Sequence, residues 1–272
     1  MPANQNITEK NYRKLSIQVS LGGFKFCCFD TLNNIVLSVR EIDFNDFEKA
    51  SKAEHHYWQA FVSHRELTAA YDEVVVVHEN NLAALVPDAL FDENCLGSYL
   101  QYNTKVFESD FFAYDRLEPF GMVNVYIPYA NFNNYLLDQF DSFEYFHINS
   151  ILVPKILEIS RNLVGMHLFV HVAKDHFEIA AVEGQKLLLF NSFEYQTKED
   201  FIYYILFAAE QLKANPELFK LQLFGAVSEE SELFKIAYKY IRNVSLLDVF
   251  DTQKHNKFSA GENLKHFILF NS

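Results

Sequence analysis

Two short stretches of this 272-residue chain hold residue types whose spacing could do chemistry. The first is Val19-Ser20-Leu21-Gly22-Gly23-Phe24-Lys25-Phe26, in which a glycine pair sits between two apolar alternations. Bare glycine backbone can approach a phosphate closely and present amide N–H groups to it, but the same pair also suits the tight turn of a hairpin. The second stretch is Met166 to Val182. If Lys174-Asp175 is a two-residue turn, His167, Phe169, His171 and Ala173 share a face with His176, Glu178, Ala180 and Val182, and His171 stands opposite Glu178. His167, His171 and Glu178 on this face could bind zinc or form a His-Glu acid-base pair, or they could be an ordinary cross-strand pair on a polar outer face. The opposite face, Leu168, Val170, Val172, Phe177 and Ile179, is apolar and reads as core. His55 and His56 are adjacent on a helical pattern, so they point apart and make a poor metal site.

These residues need a scaffold, and the hydrophobic period supplies one. Leu15, Ile17, Val19 and Leu21 alternate with Ser16, Gln18 and Ser20, as in a half-buried strand. Phe24 to Phe29 and Ile35 to Ile42 read as two further strands, separated by the polar turn Asp30 to Asn34. From Asn45 to about Leu67 the period becomes helical, with Phe47, Ala50, Tyr57, Trp58, Phe61 and Val62 on the pattern. Glu73 to His78 is valine-rich, as expected of a strand buried on both faces. Residues 80 to 120 follow no clear period beyond a short helix at Cys95 to Tyr102, and their aromatic-rich stretch Val106 to Phe120 is a candidate contact surface. A strand at Met122 to Pro128 and a helix at Phe132 to Phe140 follow, then a connecting helix at Ile151 to Asn162 with Ser150 as its cap.

The second half repeats this order. Met166 to Ala173, Phe177 to Val182 and Lys186 to Phe190 are strands, Glu199 to Leu212 a helix, Phe219 to Phe224 a strand, Glu229 to Ile241 a helix and Val244 to Phe250 a strand. Two halves of pattern βββαβαβ, divided as 1–148 and 149–272, are what an internal duplication would leave.

Composition limits the partners. Against 23 Lys plus Arg stand 36 Asp plus Glu, a formal net charge of −13, which argues against nucleic acid and against an anionic membrane surface. The most apolar window, Phe201 to Ala209, is about half the roughly 20 residues that cross a bilayer, and the start of the chain lacks a signal-peptide pattern. Cys27, Cys28 and Cys95 form no metal spacing and no even disulfide set, so buried free thiols and a cytoplasmic location are expected. No GxxxxGK, HExxH, GxSxG or CxxC motif occurs. Asp30-Thr31-Leu32 lacks the second Asp and the glycine of a phosphatase nucleophile segment and reads as a turn-initiating Asp.

The duplicated order, from "KLSIQVSLGGFKFCCFD" through "LLLFNSFEYQTKEDFIYYI" to "LQLFGAVSEESELFKIAYKYI", resembles the core of the actin-like ATPase superfamily, which includes sugar kinases and heat-shock seventy chaperones. The whole chain is similar to an uncharacterised bacterial family of unknown function, family 3822, assigned to that fold. The resemblance implies an α/β, ribonuclease H-like architecture. It also implies where a nucleotide site would lie: Ser20, Gly22 and Gly23 in the first hairpin turn, Asp175 in the second, and Gly225 after a late strand. Active members carry an Asp before the glycines of each turn, to hold a hydrated metal. Here Ser20 stands in the acid's place, the second turn reads His171-Val172-Ala173-Lys174-Asp175 without glycine, and only Gly225 of a glycine pair is present. The resemblance therefore implies a pseudo-ATPase that works by binding a protein partner, with ATP and Mg²⁺ the less favoured cofactors. The alternative is an ATPase or kinase with altered metal ligands.

Overall fold

In the computed structural model, residues 10–44, 53–107, 109–249 and 256–272 are described. The described residues of 1–80, 128–146 and 272 form one compact unit, and those of 81–127 and 147–271 form the other.

The first unit is built on a five-stranded sheet. Strands β1 (Arg13–Ser20), β2 (Gly23–Asp30) and β3 (Ile35–Asp43) form an antiparallel meander, and β4 (Glu73–His78) and β8 (Glu144–His147) extend it to the order β3-β2-β1-β4-β8. β1 pairs with β4 in parallel, so the chain must cross over a face, and α1 (Ala53–Ser63) makes that crossover. Leu15, Ile17 and Val19 pack with Phe24, Phe26, Phe61 and Phe132, the last from α3 (Ala130–Leu137). Rings fill this core edge to face, as Tyr57 and Phe132 do at 4.8 Å between centroids. The alternate residues Ser16 and Gln18 are buried as well, so β1 is covered on both faces and is not the half-exposed strand its alternation implied. The expected helical residues 45–52 lie outside the described residues.

The second unit holds two sheets. Residues 80 to 120, without a clear period in sequence, contribute β5 (Ala83–Pro87) and β6 (Ala113–Leu117), which flank β7 (Met122–Tyr126) in the order β5-β7-β6 around the short helix α2 (Leu96–Leu100). The larger sheet runs β11-β10-β9-β12-β13, from β9 (Met166–Val172), β10 (His176–Glu183), β11 (Lys186–Glu194), β12 (Lys220–Gly225) and β13 (Asn243–Leu246). α5 (Lys198–Gln211) and α6 (Glu232–Tyr240) make the parallel crossovers β9 to β12 and β12 to β13. α5 starts where Thr197 and Asp200 close a capping box, which satisfies two backbone donors of its first turn. Phe201, Ile205 and Ala208 then lock onto Leu168, Val170, Phe177 and Ile179, the apolar face expected from sequence.

The other face of this sheet is not the polar outer surface that the alternation implied. His167, His171 and Glu178 are all buried, and α4 (Ile148–Ile159) packs on β10 while α7 (Ala260–Lys265) packs on β12. The chain then turns into α8 (Phe267–Phe270), whose Phe267 meets Phe224 edge to face at 4.9 Å. α4 begins earlier than expected: His147 is its cap, accepting from the Asn149 N–H at 3.1 Å, while Ser150 bonds Asp115. Among the described residues no helix is long and apolar enough to cross a membrane.

Candidate functional site

The first turn is Leu21-Gly22, with Ser20 paired to Gly23 across it. Ser20 Oγ donates to the Gly23 carbonyl at 3.1 Å, so the hydroxyl is used inside the turn. The two glycines differ in what requires them. A Cβ on Gly22 would meet nothing within 4 Å, whereas one on Gly23 would stand 2.1 Å from the Ile42 carbonyl oxygen on β3. Gly23 therefore lets β2 and β3 approach where the hairpin leaves its turn. The Gly22 carbonyl accepts the Phe44 N–H at 2.9 Å, which ties the turn to the end of β3.

Gly225 has a similar role at a different place. Its φ is +90°, and a Cβ there would lie 2.3 Å from the Val172 carbonyl oxygen and 3.1 Å from His171 Cδ2. The next residue, Ala226, donates its N–H to that same Val172 oxygen at 2.7 Å. Gly225 thus sits beside the second hairpin, whose turn is Lys174-Asp175, with the Ala173 N–H bonded to the His176 carbonyl at 2.9 Å. Tyr195, the residue after β11, closes this turn: its hydroxyl donates to the Ala173 carbonyl at 2.9 Å and its N–H to the Asp175 carbonyl at 3.0 Å. Ser20, Gly22 and Gly23 therefore share one turn in the first unit, whereas in the second Asp175 lies in the hairpin turn and Gly225 on β12, the strand beside β9 of that hairpin.

Each sheet also buries a glutamate next to its hairpin. In the first unit Gln18 Nε2 donates to Glu79 Oε2 at 2.8 Å, just beyond the end of β4. In the second, His171 Nδ1 lies 2.8 Å from Glu178 Oε2, the cross-strand partner that the two-residue turn predicted. His176 Nε2 approaches Glu178 Oε1 at 3.2 Å, and its Nδ1 bonds the exposed Asp175 carboxylate at 2.7 Å. A row Asp175, His176, Glu178, His171 thus runs from the surface to a site where His171 is 5% and Glu178 2% exposed. Burial alone would push the Glu178 carboxyl up, but the hydrogen bond with His171, the close approach of His176 and the attraction of both imidazoles outweigh it and hold the group well below the carboxylate range. Glu178 is then ionised and accepts, so His171 donates from Nδ1.

His167 does not join this row. It stands opposite Val182, neither ring nitrogen makes a hydrogen bond of good geometry, and burial keeps its imidazole below the ordinary value and hence neutral at pH 7. Among the described residues no group of three His, Cys, Asp or Glu is arranged to hold a metal ion, so His167, His171 and Glu178 do not form the zinc site considered from sequence. Asp30 forms a turn as expected: bonds from Asn33 and Leu32 hold its carboxylate, and with it the loop. Cys27 and Cys28 are buried, and burial pushes the Cys27 thiol well up, while Cys95 is exposed against expectation. Sequence reasoning gave no role to Glu79 and named His176 only as a member of the shared face.

Two sheets of order 3-2-1-4-5, each with a parallel crossover beside an antiparallel meander, define the actin-like ATPase fold, and solved structures agree. A Bacteroides thetaiotaomicron protein with actin-like ATPase fold and unknown function superposes with a TM-score of 0.81 at 23% identity over 98% of each chain. The PilM-PilN type IV pilus biogenesis complex superposes at 0.57 and 11% identity, over 94% of this chain and 96% of that one. The chain belongs to the family DUF3822, proteins of unknown function, whose model matches residues 2–244. No curated protein matches the sequence.

Proposed function

We propose that this protein is a binding protein of the actin-like fold that does not turn over ATP. The observation that carries this reading is Ser20: the side chain at the acid's position in the first turn is a hydroxyl, and it is bonded back to Gly23. Mg²⁺ held by hydrated carboxylates needs acids free to accept water, and a donor engaged within its own turn offers none. Gly23 and Gly225 support the same reading, since backbone packing within each sheet requires both irrespective of any phosphate. Asp175 is engaged by His176. The ligand is then a protein partner in a reducing, cytoplasmic compartment, to which the free thiols Cys27 and Cys28 are suited. The same fold occurs in a two-protein assembly, the PilM-PilN complex.

Titration calorimetry with ATP and Mg²⁺ tests the proposal. No heat at about millimolar nucleotide, where even binding of −4 kcal/mol would register, is the expected result. Measurable binding together with phosphate release would overturn it and leave an ATPase or kinase with altered metal ligands.

A further inference from the structure

β11 is the outer strand of its sheet among the described residues, and its sequence is Lys186-Leu-Leu-Leu-Phe-Asn-Ser-Phe-Glu194. Edge strands expose a row of backbone donors and acceptors, which proteins commonly blunt with charge or proline. β3, the edge of the other sheet, carries Arg40, Glu41 and Asp43, and two of these charges sit in the ion pairs Arg40–Glu66 and Lys25–Glu41. Between its two end residues β11 carries no charge and no proline.

The hydrogen-bond alternation shows which groups point outward. The Tyr195 N–H bonds the Asp175 carbonyl, so in the register with β10 the pairs Phe177–Phe193 and Ile179–Asn191 exchange bonds inward. The N–H and C=O groups of Phe190, Ser192 and Glu194 therefore face away from β10. The Ser192 N–H confirms this, because its acceptor is the side chain of the preceding residue, Asn191 Oδ1 at 2.9 Å. Apolar surface continues from this edge onto α5. Phe193 stacks on Tyr204 at 4.7 Å, Tyr204 meets Tyr203 at 5.3 Å, and Tyr203 stacks on Phe207 at 6.2 Å. Leu188 is 41%, Tyr203 60% and Phe207 41% exposed.

We propose that β11 pairs antiparallel with β11 of a second copy of this chain, joining two five-stranded sheets across a two-fold axis at Phe190. The strand is complementary to itself when reversed. In the register centred on Phe190, Lys186 approaches Glu194 of the partner subunit, Leu187 approaches Phe193 of the partner subunit, and the outward N–H and C=O groups of the two Phe190 residues meet. A chain of net charge −13 repels its own copy over most of its surface. An uncharged strand with one cation and one anion at opposite ends is the local exception, and opposite charges at both ends fix direction and register.

Light scattering after size exclusion of the full chain, at about 100 µM and below, gives the mass and the dimer affinity. A dimer is expected. Ser192→Pro removes an outward N–H and no bond to β10, so circular dichroism should stay unchanged while the dimer is lost. Lys186→Glu and Glu194→Lys should each raise the dimer dissociation constant by about tenfold, and the double exchange should restore it. A monomeric wild-type chain overturns the proposal. So does a dimer that survives Ser192→Pro and both single exchanges, which would place the contact elsewhere. If Ser192→Pro unfolds the chain, the charge exchange alone decides, because only a strand facing its own reversed copy is rescued by the double variant.

Discussion

In the first hairpin the turn is Leu21-Gly22 and the glycine that packing requires, Gly23, follows it directly on β2. In the second the turn is Lys174-Asp175, and the required glycine has moved to the neighbouring strand, at Gly225 on β12. Both sheets have the same strand order, and both bring a backbone carbonyl against a position where a Cβ cannot fit: Ile42 in one, Val172 in the other. The buried acids differ in parallel. Glu79 comes from the end of a parallel strand and meets an amide, Gln18, whereas Glu178 comes from the antiparallel partner and meets two imidazoles. One architecture thus tolerates two solutions for closing a hairpin, and only the second sets imidazoles against its buried acid.

The comparison can be broken most severely at its glycines. Gly225→Ala should destabilise the chain by about 3 kcal/mol or more, because both the φ of +90° and the Val172 oxygen oppose a Cβ. Gly23→Ala should follow it, while Gly22→Ala, with open space around it, should stay within about 0.5 kcal/mol. Urea unfolding of the three variants measures this ranking, and equal losses at Gly22 and Gly23 would refute the packing account. Next comes Glu178→Ala, which strips the buried acceptor from His171 and His176 and should cost about 3 kcal/mol. Gln18→Leu in the first unit, which removes one amide bond, should cost about 1 kcal/mol by the same measurement.

The Glu178 row also responds to pH. The Glu178 carboxyl titrates below its ordinary 4.5 in the folded chain, so its contribution is complete above that pH and is lost as the pH falls toward the folded value. The stability difference between the wild type and Glu178→Gln should accordingly be constant around neutrality and shrink in acid. A difference that grew in acid would mean that the carboxyl is raised instead. A small effect is expected at Ser20→Ala, about 0.5 to 1 kcal/mol for one hydroxyl bond in a half-exposed turn, read from the thermal midpoint.

Much of this scaffold was legible in the sequence. The periods of two and of 3.6 located both meanders and the crossover helix α5 to within a few residues, and the two-residue turn at Lys174-Asp175 put His171 opposite Glu178. Residues 80 to 120 were illegible because β5 and β6 are five residues long and only partly buried, so too few positions alternate to mark a period. Glu79 was missed for a related reason: a lone acid after a valine run carries no signal until the fold supplies Gln18, sixty-one positions earlier, as its partner.

By itself, the sequence determined the order of strands and helices outside residues 80 to 120 and the apolar face of the central strands, because these follow from local period, and that order carried the resemblance to the actin-like class. Only the tertiary structure decided that the second face of each central hairpin is buried, since a strand's polar side does not state whether a helix will cover it. That covering, by α4 and α7, turns His171 and Glu178 from surface residues into a buried acid–imidazole pair that half-buried His176 joins to the surface. It also decided what the glycines are for, because whether a missing Cβ serves a ligand or a neighbouring carbonyl depends on which strand lies beside it.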